Sequence, residues 1–172
     1  QSLSKKDFEI IVVDDNSTDN SLKKLDEFKK NIRIISNKKN IGVAKSVNNV
    51  VKIAKGDYFV RIDADDYISS YLIAFLYNGF LIFPEKFGIA CDYYHVTSEG
   101  RHINKIESED KPIACGILYN KKKFISYGMY NPKFKHREEE ELRLRLGKKY
   151  DIHYLNLPLY RYRMHQTNKT KS

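Results

Sequence analysis

Carboxylates collect where apolar runs end in this chain, and the densest collection is VRIDADDYI, from Val60 to Ile68. Phe59, Val60 and Ile62 are the apolar part, and Asp63, Asp65 and Asp66 follow with only Ala64 between the first two. Alternate side chains of a strand share a side, which predicts Asp63 beside Asp65 and Asp66 opposed to both. A few oxygen ligands suit a hard cation, Mg²⁺ or Mn²⁺, whose shell phosphate oxygens and water complete. The string also has a structural reading, because aspartates at strand ends make turns and cap helices. Asp14 and Asp15 end a second apolar run, Glu138 to Glu141 precede a leucine-spaced segment, and Arg161, Arg163 and His165 stand near the end of the chain. Four carboxylates in the first turn of a helix are favoured by its dipole without any chemistry.

The elements that must position these groups are legible as alternating runs. Phe8 to Val13 is continuously apolar, the pattern of a strand covered on both faces, and Asp14 to Thr18 supply turn and cap residues. Leu22, Leu25 and Phe28 recur at helical spacing up to Asn31, Ile32 to Ile35 is a second strand, and Ser36 to Gly42 a loop. Val43, Val47, Val50, Val51 and Ala54 form the stripe of a helix stopped by Gly56, and Tyr58 to Ile62 is the third strand. Strands alternating with helices predict an α/β fold with right-handed crossovers and a mostly parallel sheet. Ligands gather at the carboxyl ends of such strands, where both aspartate groups fall.

The second half reads as less regular and more antiparallel. A helix is expected over Tyr71 to Phe83, capped by Ser69 or Ser70, then strands at Phe87 to Val96 and Arg101 to Ile106 joined at Glu99-Gly100. Pro112 to Tyr119 is a further strand and Lys121 to Tyr127 a short helix. Ile152 to Met164 is strand-like, with Pro158 predicting two short pieces or an edge.

With 172 residues, 41% of them hydrophobic, the chain is sized for a single domain around one core. The net charge of +9, from 31 Lys and Arg against 22 Asp and Glu, points to an anionic partner: nucleic acid, a nucleoside diphosphate or an acidic membrane surface. A nucleic-acid domain is disfavoured because the carboxylates cluster where a phosphate backbone would be repelled. An NAD-binding Rossmann domain lacks its G-x-G-x-x-G loop after the first strand. Cys91 and Cys115 have no C-x-x-C spacing and read as buried free thiols of a reducing compartment. No apolar segment approaches the ~18 residues of a membrane span, and the polar start QSLSKKDFE does not read as a signal peptide. The expected location is cytoplasmic, at or near the inner membrane face, so the N-x-[ST] matches at Asn16 and Asn168 carry no glycosylation reading.

Four stretches, in this order, resemble family 2 glycosyltransferases of the GT-A fold: KDFEIIVVDDNSTDNS, NIGVAKSVNNVVKIAKGDYFVRIDADD, REEEELRLRL and YRYRMH. The resemblance implies a GT-A domain over 1–172, with a nucleotide-sugar-binding half at 1–66 and an acceptor-binding half at 67–172. Members usually begin with a strand of the type SIIIPTYN, so it also implies that the first βα unit is missing here. Asp14 and Asp15 match the base- and ribose-binding positions, with Asp15 the better match for the base. Asp63 and Asp65 fall on the D-x-D motif, Asp65 for the Mn²⁺ or Mg²⁺ that bridges the diphosphate and Asp63 for ribose or a metal-bound water. Arg163 and His165 match the late R-x-H element, as diphosphate donor and as phosphate donor or metal ligand.

Glu139 matches the general base, and the register keeps Glu138 and Glu140 as alternatives. Many members carry Arg at the position of Val47, a charge that Lys45 is placed to supply. The implied activity is inverting, metal-dependent transfer of a sugar from a nucleotide-diphosphate donor to the hydroxyl of a glycan or lipid-linked acceptor in surface polysaccharide or glycolipid synthesis. Lys121 to Lys123 would then suit an anionic membrane face. The rival within the resemblance is a catalytically silent nucleotide-sugar-binding fragment. Tyr93, Tyr94 and His95 are candidate sugar-stacking residues, with core packing the alternative for at least two of them.

Overall fold

The computed structural model describes residues 2–134 and 136–165. Asn168 lies outside them. β1 (Ile11–Asp14), α1 (Ser21–Asp26), β2 (Arg33–Ser36), α2 (Val43–Ile53) and β3 (Tyr58–Val60) alternate as the apolar runs predict. β1 and β2 pair in parallel, Ile11 opposite Arg33 through Asp14 opposite Ser36. Their two-stranded ladder is not covered on both faces: Ile10 is 45% exposed and only Asp14 of β1 is buried. α1 is correspondingly short and buries nothing, and Phe28 lies beyond it, 55% exposed.

The second sheet has six strands. β4 (Tyr67–Ile68), α3 (Leu72–Ile82), β5 (Gly88–Val96), β6 (His102–Ile106), β7 (Ile117–Asn120), α4 (Lys121–Ser126), α5 (Glu138–Leu146) and β8 (Ile152–Arg163) complete the chain. The spatial order is β3-β7-β5-β8-β4, with β6 alongside β5. Parallel pairing holds for β1 with β2 and for β5 with β8. β3 instead runs antiparallel to β7, and the β5–β6 hairpin is antiparallel as its Glu99-Gly100 turn predicts.

Two sequence expectations fail in the second half. The run before Tyr119 becomes strand only from Ile117, and Pro158 neither divides β8 nor puts it on an edge, since β8 lies between β5 and β4. The pairing of β8 with β5 shifts register around Asp92 and Pro158, and Asn156 and Leu157 of this bulge are exposed. The missing proline N–H therefore falls where the ladder is already interrupted.

Core side chains occupy both faces of the large sheet. Leu72, Leu76 and Phe80 of α3 pack on Ile89, Cys91, Tyr93 and Tyr160 on one face. Burying each of the three helix residues contributes roughly 1.5–3 kcal/mol. Gly79 lets α3 approach this closely, because a Cβ there would meet Ile89 Cγ2 at 2.7 Å. On the other face Val51 of α2, Leu142 of α5, Phe124 and Tyr130 close over Ala90, Ile117 and Tyr119. Both cysteines are free and buried, and burial pushes the Cys91 thiol up to about 12. Among the described residues no helix is long and apolar enough to cross a membrane.

Candidate functional site

At the end of β1, Asp14 is buried and accepts the Ser17 N–H, a turn-closing bond. Asp15 accepts more. Its Oδ1 takes Asn37 Nδ2 at 2.8 Å and Ile41 N at 2.9 Å, and its Oδ2 takes Gly42 N at 2.8 Å. Desolvation works against these bonds, yet together they hold the Asp15 carboxyl below its ordinary range. Gly42 stands at φ +84°, a left-handed conformation that turns its N–H toward Asp15 at the start of α2. Asp15 thus orders the β2–α2 loop. Lys45 is exposed on the first turn of that helix, and Val47 packs inward.

Past β3 the chain turns rather than continuing as strand, with Asp66 N donating to Asp63 O at 3.1 Å. The turn breaks the alternation expected from the sequence. Asp63 and Asp66, not Asp63 and Asp65, converge, with carboxylate oxygens within 4.8 Å of each other and of Cys115 Sγ. Asp66 accepts Tyr160 Oη–H at 2.6 Å and Arg163 N–H at 2.8 Å. Burial raises the Asp66 carboxyl against these two donors. Asp63 is held by Arg61, whose Nη1 also pairs with Glu138.

Asp65 faces outward and meets His165, Oδ2 to Nε2 at 2.8 Å, while Arg163 Nε donates to the Asp65 carbonyl at 2.7 Å. The D-x-D aspartate and the R-x-H element, a hundred residues apart, therefore share one corner. Asp65 and His165 also suit a divalent ion in kind: one oxygen and one nitrogen donor, half exposed and in contact, with room for ligand oxygens on the solvent side.

The four glutamates at the start of α5 separate cleanly. Glu138 pairs with Arg61, Glu140 with Arg137 at 2.5 Å, and Glu141 with Arg145 at 2.7 Å. Among the described residues Glu139 makes no ion pair. It is 5% exposed and accepts Tyr150 Oη–H at 2.7 Å, with Tyr119 Oη 3.1 Å behind. Desolvation raises its carboxyl above the ordinary range, the Tyr150 bond opposing. A buried carboxylate with a raised pKa is the form a general base takes. Asn48 of α2 fixes the loop before α5, bonding both the N–H and the C=O of Tyr130.

Arg61, Tyr150 and Tyr160 were not singled out by sequence reasoning. For Arg61 a signal existed: a cation inside an apolar strand, two residues from Asp63. The tyrosines gave none, because nothing local distinguishes them among 13. Of the Lys121–Lys123 run, Lys121 Nζ donates to Ala54 O at 2.8 Å and Lys123 Nζ to Lys86 O at 3.2 Å, so two of the three amines fold back onto the chain. A groove of about 470 Å³ on α5, lined by Phe134, Arg137, Glu141 and Leu144 among others, includes none of the aspartates described above.

The family model "Glycosyl transferase family 2" matches residues 1–161. A poly(ribitol-phosphate) beta-glucosyltransferase of Bacillus spizizenii is 44% identical over 82 residues, 45% of this chain and 13% of that protein. The structure of S. aureus TarS 1-349 in complex with UDP-GlcNAc superposes with a TM-score of 0.81 at 20% identity, over 100% of this chain and 54% of that one. A mannosyltransferase from Pyrobaculum calidifontis, PcManGT, in complex with GDP-Man and Mn²⁺, superposes at 0.70 with 14% identity, over 98% and 51%. At these identities the two structures establish a shared fold. The chain spans about half the length of each.

Proposed function

The chain belongs to glycosyl transferase family 2, and from that premise we propose that it is the catalytic part of an inverting glycosyltransferase that moves a sugar from a nucleoside diphosphate to a hydroxyl of a cell-envelope polymer. The observation that carries the reading is Glu139, the glutamate at the head of α5 that makes no ion pair among the described residues, buried and raised in pKa. TarS bound to UDP-GlcNAc and PcManGT bound to GDP-Man support a nucleotide-sugar donor. The poly(ribitol-phosphate) glucosyltransferase supports an envelope acceptor.

In this reading Asp15 holds the β2–α2 loop as one wall of the donor site, with Asp14 beneath it and Lys45 at its mouth. Asp65 and His165 are the residues that hold a divalent ion. Mn²⁺ or Mg²⁺ bound there supplies Lewis-acid stabilisation of the departing diphosphate. Arg163 presents a guanidinium at the same corner. Asp63 is neutralised by Arg61, so it orients the turn and reaches ribose through its remaining lone pairs. Glu139 removes the proton of the acceptor hydroxyl as that oxygen attacks the anomeric carbon opposite the leaving diphosphate. Glu138 and Glu140 are held by Arg61 and Arg137 and do not compete for that role. The test is transfer from UDP- and GDP-sugars by the chain and by Glu139→Gln, with donor binding followed in parallel. Binding without transfer in both proteins would instead favour the silent nucleotide-sugar-binding fragment.

A further inference from the structure

One face of the large sheet carries a row of rings and cations that the donor site and the base leave unassigned. Directly paired residues share a face, so the register of Tyr67 and of Tyr94 with Arg161 sets these three side chains in line across β4, β8 and β5. The Tyr94 ring stacks on His102 with centroids 4.2 Å apart and planes at 13°, and the Arg161 guanidinium lies 5.6 Å from the Tyr94 centroid. Arg163, two residues along β8 on the same face, lies 5.5 Å from the Tyr67 centroid and bonds the Asp65 carbonyl. The row therefore runs from the β5–β6 hairpin to the Asp65–His165 corner.

Its neighbours Tyr93 and Tyr160 turn the other way, into the core under α3. His102 is exposed, and Tyr94 and Arg161 are half-buried. Asp92, the buried carboxylate of this face of β5, is neutralised by Lys105 Nζ at 2.9 Å. Among the described residues Arg161 makes no ion pair, and its hydrogen bond is a single one, Nη1 to Pro158 O at 2.8 Å.

We propose that this row is an acceptor subsite for a phosphodiester-linked polyol or glycan chain. The exposed His102 ring, held by its stack on Tyr94, packs on the carbon skeleton of one repeat, and Arg161 pairs with a backbone phosphate through its planar fork. A chain lying along the row brings its end toward Asp65. The inference rests on the glycosyltransferase reading and names the acceptor chemistry of that site.

The test is calorimetric titration of the purified chain with a glycerol-phosphate oligomer, a neutral oligosaccharide of equal length and inorganic phosphate, with UDP and Mn²⁺ titrated in parallel. The subsite predicts that the oligomer binds more tightly than either control and weakens as salt rises. Arg161→Gln and Tyr94→Ala lower that affinity by ~10-fold, the loss expected for a charged hydrogen bond or a stacked ring. Arg161→Lys loses less, and Lys30→Gln, a change to an exposed lysine elsewhere, loses nothing. Unchanged melting temperature and unchanged UDP affinity in these variants mark the losses as local. Equal binding of the neutral oligosaccharide, full oligomer affinity in Arg161→Gln, or an equal loss in Lys30→Gln overturns the proposal. A chain that binds the oligomer but not UDP keeps the subsite and removes the transferase reading.

Discussion

Arg61 grips Asp63 through two parallel hydrogen bonds, Nε to Oδ1 at 2.8 Å and Nη2 to Oδ2 at 3.0 Å. Its third arm reaches Glu138 at the start of α5, so one guanidinium, 14% exposed, ties the aspartate turn to the helix that presents Glu139. Desolvation opposes the charge, yet Cys115 and Asp63 beside it leave the Arg61 pKa raised. Removing the cation leaves a buried carboxylate alone, which costs roughly 3–5 kcal/mol. Arg61→Met is expected to lower the urea midpoint accordingly, and Arg61→Lys to lower it less, since an ammonium cannot serve both partners in the same plane. A midpoint unchanged in Arg61→Met would show the triad to be energetically idle.

Burial raises the pKa of the proposed base, and Tyr150 opposes that rise. Its hydroxyl donates to Glu139 and so favours the ionised carboxylate. Tyr150→Phe removes that donor and moves the Glu139 pKa further up. The acid limb of the kcat/KM profile is therefore predicted to shift to higher pH, with the rate on the alkaline side little changed. A profile that keeps its acid limb in Tyr150→Phe assigns that limb to another group.

Burial of Glu139 costs stability at neutral pH. Its folded pKa lies above the unfolded value, so the unfolded chain holds fewer protons in that window and stability falls as pH rises through the folded pKa. Glu139→Gln lacks the desolvated charge while its amide oxygen still accepts from Tyr150. The variant is predicted to melt about 2–6 °C higher at neutral pH, the advantage vanishing at acid pH, and to lose transfer while keeping donor affinity. Differential scanning calorimetry across pH reads the first part directly.

How far the sequence reached follows from which interactions are local. Strand and helix periodicity located the elements of the first half, and the dipole pattern of Glu138–Glu141 located the head of α5. The side-chain geometry of D-A-D-D did not follow, because strand alternation applies only while the chain stays extended, and Asp63 to Asp66 form a turn. Pro158 misled for a related reason: a register shift against β5, where its partner Asp92 is remote in sequence, absorbs the missing donor. The pairing of Asp65 with His165 was reached through motif order alone, since no local pattern joins residues a hundred positions apart. Which glutamate lacks an ion pair among the described residues depended on Arg61, Arg137 and Arg145, and only the last two are near in sequence.

Titration of the chain with UDP and with GDP, each with Mn²⁺ and again with chelator, tests the proposed donor corner at Asp65 and His165. Nucleoside diphosphate binding is predicted to need the cation and to be lost in Asp65→Ala, with His165→Ala weakened in the same direction. Binding indifferent to the cation, or retained in Asp65→Ala, would contradict it.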